Sequence, residues 1–311
     1  MSHPRITECF SHLIETRFLA PLQTTRSLIL RDEVIATLKS LHPHGIVKKI
    51  ATFWEPDRMM AIGDRLNVLA LADNHGARSP ALQGSSREAL NRLGVALSVH
   101  KPADTANGRS VVISSLGQTS VRVFPAIALR MHEMNGARWP IYAIPSGDDG
   151  WVAVAPEAHG RFLREAHLSS ARRIPVCIQL MKFWISCSDP KVYMRSFYLE
   201  LVCAMAMDGA PQNEHGYQTY FCRALQVLQK HACGPIPDPL GICAPIPCSR
   251  APELTFFLRD RVKKSADEAL KAIQAEEGGD QQSAWSYWNL VFNGRFPQFE
   301  MTATSLPGSG A

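Results

Sequence analysis

Apolar residues at helical spacing dominate both ends of this chain, and short β-prone runs punctuated by glycine fill its middle. The clearest pattern lies in PVCIQLMKFWISCSDPKVYMRSFYLELVCAM, residues 175–205. Val176, Leu180, Phe183 and Trp184 recur at i, i+4, i+7 and i+8, and Phe197, Leu201, Ala204 and Met205 repeat the spacing, which predicts two helices with one apolar face each. A short turn joins them, with Ser188 or Asp189 as cap of the second helix and Pro190 at its first position. Helices are also expected over 6–20 and 24–42, parted by Pro21, the second carrying Val34, Ile35, Leu38 and Leu41. Ser85 with Glu88 forms a capping box ahead of Ala89, Leu90, Leu93 and Leu97. The apolar run 66–72 suits a buried strand, and 111–115, 119–125, 142–145 and 151–155 read as short strands. After Pro156 the chain turns helical again, with helices over 217–230, 253–277 and 280–292, the last bearing Trp285 and Trp288. Residues 301–311 have the composition of a frayed tail.

Composition narrows the class. With 311 residues and 46% hydrophobic content, the chain can build two lobes, each with its own core. Its apolar runs fall short of the roughly 20 residues that span a bilayer, and MSHPRITE lacks a signal peptide's apolar region, so a cytoplasmic protein without membrane contact is expected. Eight scattered cysteines, several within apolar helices such as Cys177 and Cys203, read as reduced core thiols. A formal charge of +5 with interspersed acids gives no indication of nucleic-acid binding.

Lys182 and Ser196 lie off the apolar faces of the two central helices, so an antiparallel pair can aim an ammonium and a hydroxyl at one place, which suits a polyphosphate. The string L-M-K-F-W, then a turn, then R-S-F-Y-L-E-L resembles the helical-lobe signature of the oligoadenylate synthase and cyclic GMP-AMP synthase superfamily, especially its bacterial branch, the CD-NTases. IPDPLG (236–241) and AWSYWNLVFNGRFPQF (284–299) are similar to that family's late segments. The resemblance implies an α+β fold: a polymerase-beta-like nucleotidyltransferase core lobe with a mixed sheet over 1–165, a helical lobe over 166–300, and a tail. It also implies that Lys182 and Ser196 hold a donor nucleotide's triphosphate.

The same resemblance implies a catalytic loop opening with Gly-Ser, an Asp-x-Asp on the next strand and a third acid on a later strand. Two Mg²⁺ ions need those carboxylates as hard oxygen ligands. Laid on this chain without a gap, Ala51-Thr52 takes the place of Gly-Ser, Asp64 the first acid, Leu66 the second and Arg122 the third. Thr52 is then a further nucleotide-binding candidate. Leucine cannot ligate a metal, and a cation about 4 Å from a divalent ion repels it by about 8 kcal/mol at an effective dielectric near 20.

The expectation is therefore a catalytically degenerate CD-NTase-like protein with Asp64 as sole retained acid, Asp64 and Arg122 paired across strands, and no cofactor. It would bind a nucleotide, a nucleotide second messenger or a protein partner in antiphage defence or signalling. Two alternatives remain open: an active Mg²⁺-dependent nucleotidyltransferase using shifted acids among Glu55, Asp57, Asp64 and Asp73, and a structural assembly subunit.

His231, Cys233, Cys243 and Cys248 have the side chains of a zinc site, though only the last two cysteines are close in sequence. Asp148-Asp149 between Gly147 and Gly150 reads as a turn. His75, His132, His159 and His215 have no partner recognisable in the sequence.

Overall fold

The computed structural model describes residues 5–18, 21–41, 49–53, 65–71, 85–99, 103–104, 108–114, 120–134, 136–170, 173–188, 193–208, 216–249 and 255–298. Two compact units result, one of Ala20–Glu165 with Ile236–Ile246, the other of Met1–Leu19, Ala166–Pro235 and Pro247–Ala311. One division of the chain between these units falls after Glu165. Two segments lie otherwise than expected: the first helix joins the helical unit, and the loop 236–246 joins the sheet unit.

The sheet unit contains α2 (Pro21–Ser40), β1 (Lys49–Phe53), β2 (Arg65–Leu71), α3 (Ser86–Ser98), β3 (Ala103–Asp104), β4 (Val111–Ser114), β5 (Ser120–Met134), β6 (Ala137–Pro145), β7 (Trp151–Val154) and most of α4 (Pro156–Ser169). Strand order is β1-β2-β5-β4-β3, with β6 added along β5 and β7 along β6. Among the described residues only the β2–β5 pairing is parallel, so the sheet is mixed. Pro21 opens α2 at a position that needs no N–H instead of merely separating two helices.

Alternation divides the sheet's faces. Val68 and Ala70 of β2, Val111 and Ile113 of β4, and Val121 and Val123 of β5 are buried with Val34 and Leu38 of α2 and Leu90, Leu93 and Leu97 of α3. On the opposite face Leu69, Leu71, Ala126 and Tyr142 form a second cluster with Phe124 and Ile144. The serine half of the expected capping box forms at the start of α3, where Ser85 Oγ accepts from the Arg87 and Glu88 amides at 3.1 and 3.4 Å, while the Glu88 carboxylate accepts from Arg92 at 2.6 Å. Asp149 reinforces it by accepting from Arg87 N at 3.0 Å. β5 exceeds its expected length, because Pro125 pairs within the parallel ladder and the strand continues as a hairpin with β6.

The helical unit contains α1 (Ile6–Phe18), α5 (Ile174–Ser186), α6 (Ser196–Met207), α7 (Tyr217–Lys230), α8 (Thr255–Glu277) and α9 (Gln281–Val291). Its core is aromatic: the Phe10 ring meets Trp288 edge-on at 5.0 Å, and Phe292 stacks on Phe296 at 5.5 Å. That cluster explains why α1 lies here, since Phe10 is fully buried among α7 and α9 side chains. The second central helix begins at Ser196 after Arg195, six residues later than the expected first position at Pro190, which lies outside the described residues. Nor is its burial one-sided. Tyr198, Leu199, Leu201, Val202 and Cys203 are all buried, while Met205 is exposed.

Candidate functional site

The parallel ladder between β2 and β5 sets which residues can converge. Asn67 pairs with Arg122, Leu66 with Val121, and Arg65 with Ser120. Because successive strand residues face opposite ways, positions 65, 67 and 69 share a face with 120, 122 and 124, whereas position 66 shares one with buried Val121. In this register Leu66 is not the ladder partner of Arg122; Asn67 is, with Arg65 two residues before it opposite Ser120. On the other side of β5, Val112 and Ser114 of β4 pair with Arg122 and Ser120. Of the ladder positions in this row, 65, 67, 114, 120 and 122 are arginine, asparagine, serine, serine and arginine, 69, 112 and 124 are apolar, and none is a carboxylate. Asp64, Glu55, Asp57 and Asp73 lie outside the described residues, so the expected Asp64–Arg122 pair lies outside them too; Thr52 lies on β1, opposite Val68.

In the helical unit, Lys182 is half-buried on α5 and Ser196 is exposed at the first position of α6. Burial holds the Lys182 ammonium below the ordinary lysine range, opposed by the nearby Glu200 carboxylate and Cys203. Glu200 is only 2% exposed and lies one helical turn after Ser196, on the same side of α6. Ser196 and Glu200 thus share one side of α6, and Lys182 is near enough to Glu200 to feel its charge. Glu200 was not singled out in the sequence. An acid inside the apolar run FYLELVCAM was the available signal, because such a group is rarely buried without a cationic neighbour.

The zinc-like quartet is not gathered into one group. Cys233 and Cys248 are buried thiols hydrogen-bonded to each other in the helical unit, and their mutual bond favours the thiolate at Cys233 over Cys248. Cys243 belongs to the sheet unit, and His231 is the half-buried C-cap of α7. Among the described residues, the group of three ligand-type side chains that does come together is His159, Asp238 and Cys243. Burial pushes the Asp238 carboxyl up, but the His159 hydrogen bond and the amides of Cys243 and Leu240 outweigh it and hold the group at about 2. Asp148 and Asp149 form the expected turn, bonded to Ser146 and Ser85.

No protein-family model matches the chain, and no curated protein matches it in sequence. Solved structures do match in fold. CdnC of E. coli MS115-1, in a structure with ATP, superposes with a TM-score of 0.68 at 14% identity over 94% of this chain and 98% of that one. The chain has the CD-NTase fold. The complex of E. coli MS115-1 CdnC with HORMA-deltaN gives a TM-score of 0.64 at 16% identity, covering 94% and 98%. The STING-associated CdnE c-di-GMP synthase of Capnocytophaga granulosa gives 0.61 at 11% identity, covering 87% and 92%. These bacterial nucleotidyltransferases share with this chain the mixed sheet and the helices that follow it. No helix among the described residues is long and apolar enough to cross a membrane.

Proposed function

We propose that this CD-NTase-fold protein is catalytically degenerate and binds a nucleotide or nucleotide second messenger without polymerising it. The observation that carries this is the ladder pairing of Arg122 with Asn67, with Arg65 one step along the same face. Two metal ions would need carboxylates at these three positions, and the chain supplies two guanidinium groups and an amide. Lys182 and Ser196 retain the groups a triphosphate would use, an ammonium and a hydroxyl with helix-terminal N–H groups beside it. Binding would then proceed without Mg²⁺, in a bacterial signalling or antiphage setting such as the resemblance implies.

The deciding experiment incubates the purified chain with radiolabelled nucleoside triphosphates and Mg²⁺ or Mn²⁺, followed by chromatography. No new labelled product is expected. A second reading, an active enzyme with acids drawn from elsewhere in the chain, is favoured by the likeness to a c-di-GMP synthase. Product that disappears on Asp64→Ala would establish that reading and end the first. A protein-partner role is favoured by the CdnC complex with HORMA-deltaN. It predicts a defined heteromer by light scattering with the product of a neighbouring gene, unchanged by Lys182→Met.

A further inference from the structure

The loop Ile236–Ile246 is closed at its base by a two-way bridge, with Ile236 N donating to Ile246 O at 3.0 Å and Ile246 N to Ile236 O at 2.7 Å. Within it Asp238 is 8% exposed, and its carboxylate accepts N–H groups from Leu240 at 3.1 Å, Ile242 at 2.9 Å and Cys243 at 2.7 Å. Helix α4 brings His159, 7% exposed, to the same carboxylate, with Nε2 at 2.8 Å from Asp238 Oδ1. The half-buried Cys243 completes the group, and one ligand atom from each of the three lies within 4.8 Å of the others. Leu240 and Ile242 pack with Trp139, Ile141 and Ala158 beside it, so the loop is anchored on apolar neighbours independently of these polar groups.

We infer that His159, Asp238 and Cys243 form a binding site for one zinc ion. The donor set is one nitrogen, one oxygen and one sulfur, which suits a borderline-soft ion and not Mg²⁺ or Ca²⁺, whose ligands are oxygens. Charge closes as well: a thiolate and a carboxylate neutralise Zn²⁺, and a neutral imidazole adds nothing, so the half-buried cluster carries no net charge. Three amides orient the Asp238 carboxylate, and the Ala155 amide donates to the Cys243 sulfur, as outer partners of a metal site do.

Bond lengths of about 2.0–2.3 Å in a tetrahedron set donor atoms about 3.3–3.7 Å apart. The present 2.8 Å between His159 and Asp238 must widen by about half an ångström, and any longer separation must close by up to about one. Cys243, on the loop and not on a helix, is the residue placed to make that movement. Zinc takes Cys243 as its thiolate, so uptake releases the thiol proton to solvent. Water from the exposed side fills the fourth position.

The test loads the full chain with Zn²⁺ after chelator treatment and measures metal content by mass spectrometry and zinc K-edge absorption fine structure. One zinc per chain is expected, with one sulfur and three nitrogen or oxygen neighbours. Cobalt substitution should give a thiolate charge-transfer band that Cys243→Ser abolishes and Cys233→Ser leaves intact, and Cys243→Ser should weaken zinc binding at least tenfold. Less than about a tenth of an equivalent of zinc would show the group to be a hydrogen-bonded loop staple only. Two or more sulfur neighbours would move the site to the other cysteines. Both results overturn the inference, and the wild-type absorption measurement decides even if the variant fails to fold.

Discussion

Arg122 and Asn67 are ladder partners across the parallel junction of β2 and β5, on the face opposite the α2 and α3 core. On the proposed reading, that pairing concentrates the departure from a two-metal nucleotidyltransferase into one row of the sheet. A guanidinium in this row repels a divalent ion, and an amide contributes at most a weak neutral ligand beside it.

Restoring acids should therefore restore metal affinity. The triple variant Arg65→Asp, Asn67→Asp, Arg122→Asp is expected to bind Mn²⁺ measurably by electron paramagnetic resonance, and the wild-type row is expected to bind none. Manganese bound with equal affinity by the wild-type chain at this row would contradict the electrostatic account.

Lys182 is expected to govern triphosphate affinity. Replacing it with Met keeps most of the packing and removes the ammonium; loss of a charge-assisted hydrogen bond worth about 1.5–3 kcal/mol weakens binding roughly 10- to 100-fold. Equal affinity of the variant by calorimetry would place the phosphates elsewhere.

The pH dependence of that binding has a definite sign. Burial lowers the Lys182 pKa, so its charge is lost, as pH rises, before the ordinary lysine value of 10.5. Phosphate affinity should fall along that alkaline limb. Glu200 raises the Lys182 pKa, so Glu200→Gln should move the limb to lower pH. An unmoved limb would separate Glu200 from the phosphate contact.

Asp238 gives a prediction on the acid side. Its folded value of about 2 lies below the ordinary 3.8, so its stabilising effect is complete above 3.8 and is lost as pH falls through about 2. The difference corresponds to about 2 kcal/mol. Asp238→Asn should lower the thermal midpoint of the chelated protein at pH 7 and flatten the decline in stability between pH 4 and 2. A decline as steep as in the wild type would show that other carboxylates cause it.

Helix capping at α3 is legible in both sequence and structure. Ser85→Ala removes the acceptor for the Arg87 and Glu88 amides and should cost about 1 kcal/mol, read as a lower denaturation midpoint.

What the chain discloses without coordinates follows from how local each signal is. The helical spacing of α7 and the Ser85 cap of α3 are set by neighbours within one or two turns, and both appear where expected. The register of Leu66 against Arg122 is non-local. Within β2, alternation alone could not tell which face α2 and α3 would cover, and the loop before the strand could take up one residue more or less. A one-residue slip then reverses the assignment of every side chain. The extension of β5 past Pro125 was hidden because proline usually ends a strand, and this one sits where the parallel ladder tolerates it. His159 and Asp238 are 79 residues apart, joined only by the folding of α4 and the loop onto the same apolar patch.

The most direct measurement is titration calorimetry of the wild-type chain with ATP and GTP, once in excess chelator and once in millimolar Mg²⁺, each mixture then being analysed for product. Binding of at least one triphosphate with the same affinity in both buffers, and unreacted nucleotide recovered at the end, is the predicted result. Binding that requires Mg²⁺ and yields a new phosphodiester product would contradict it.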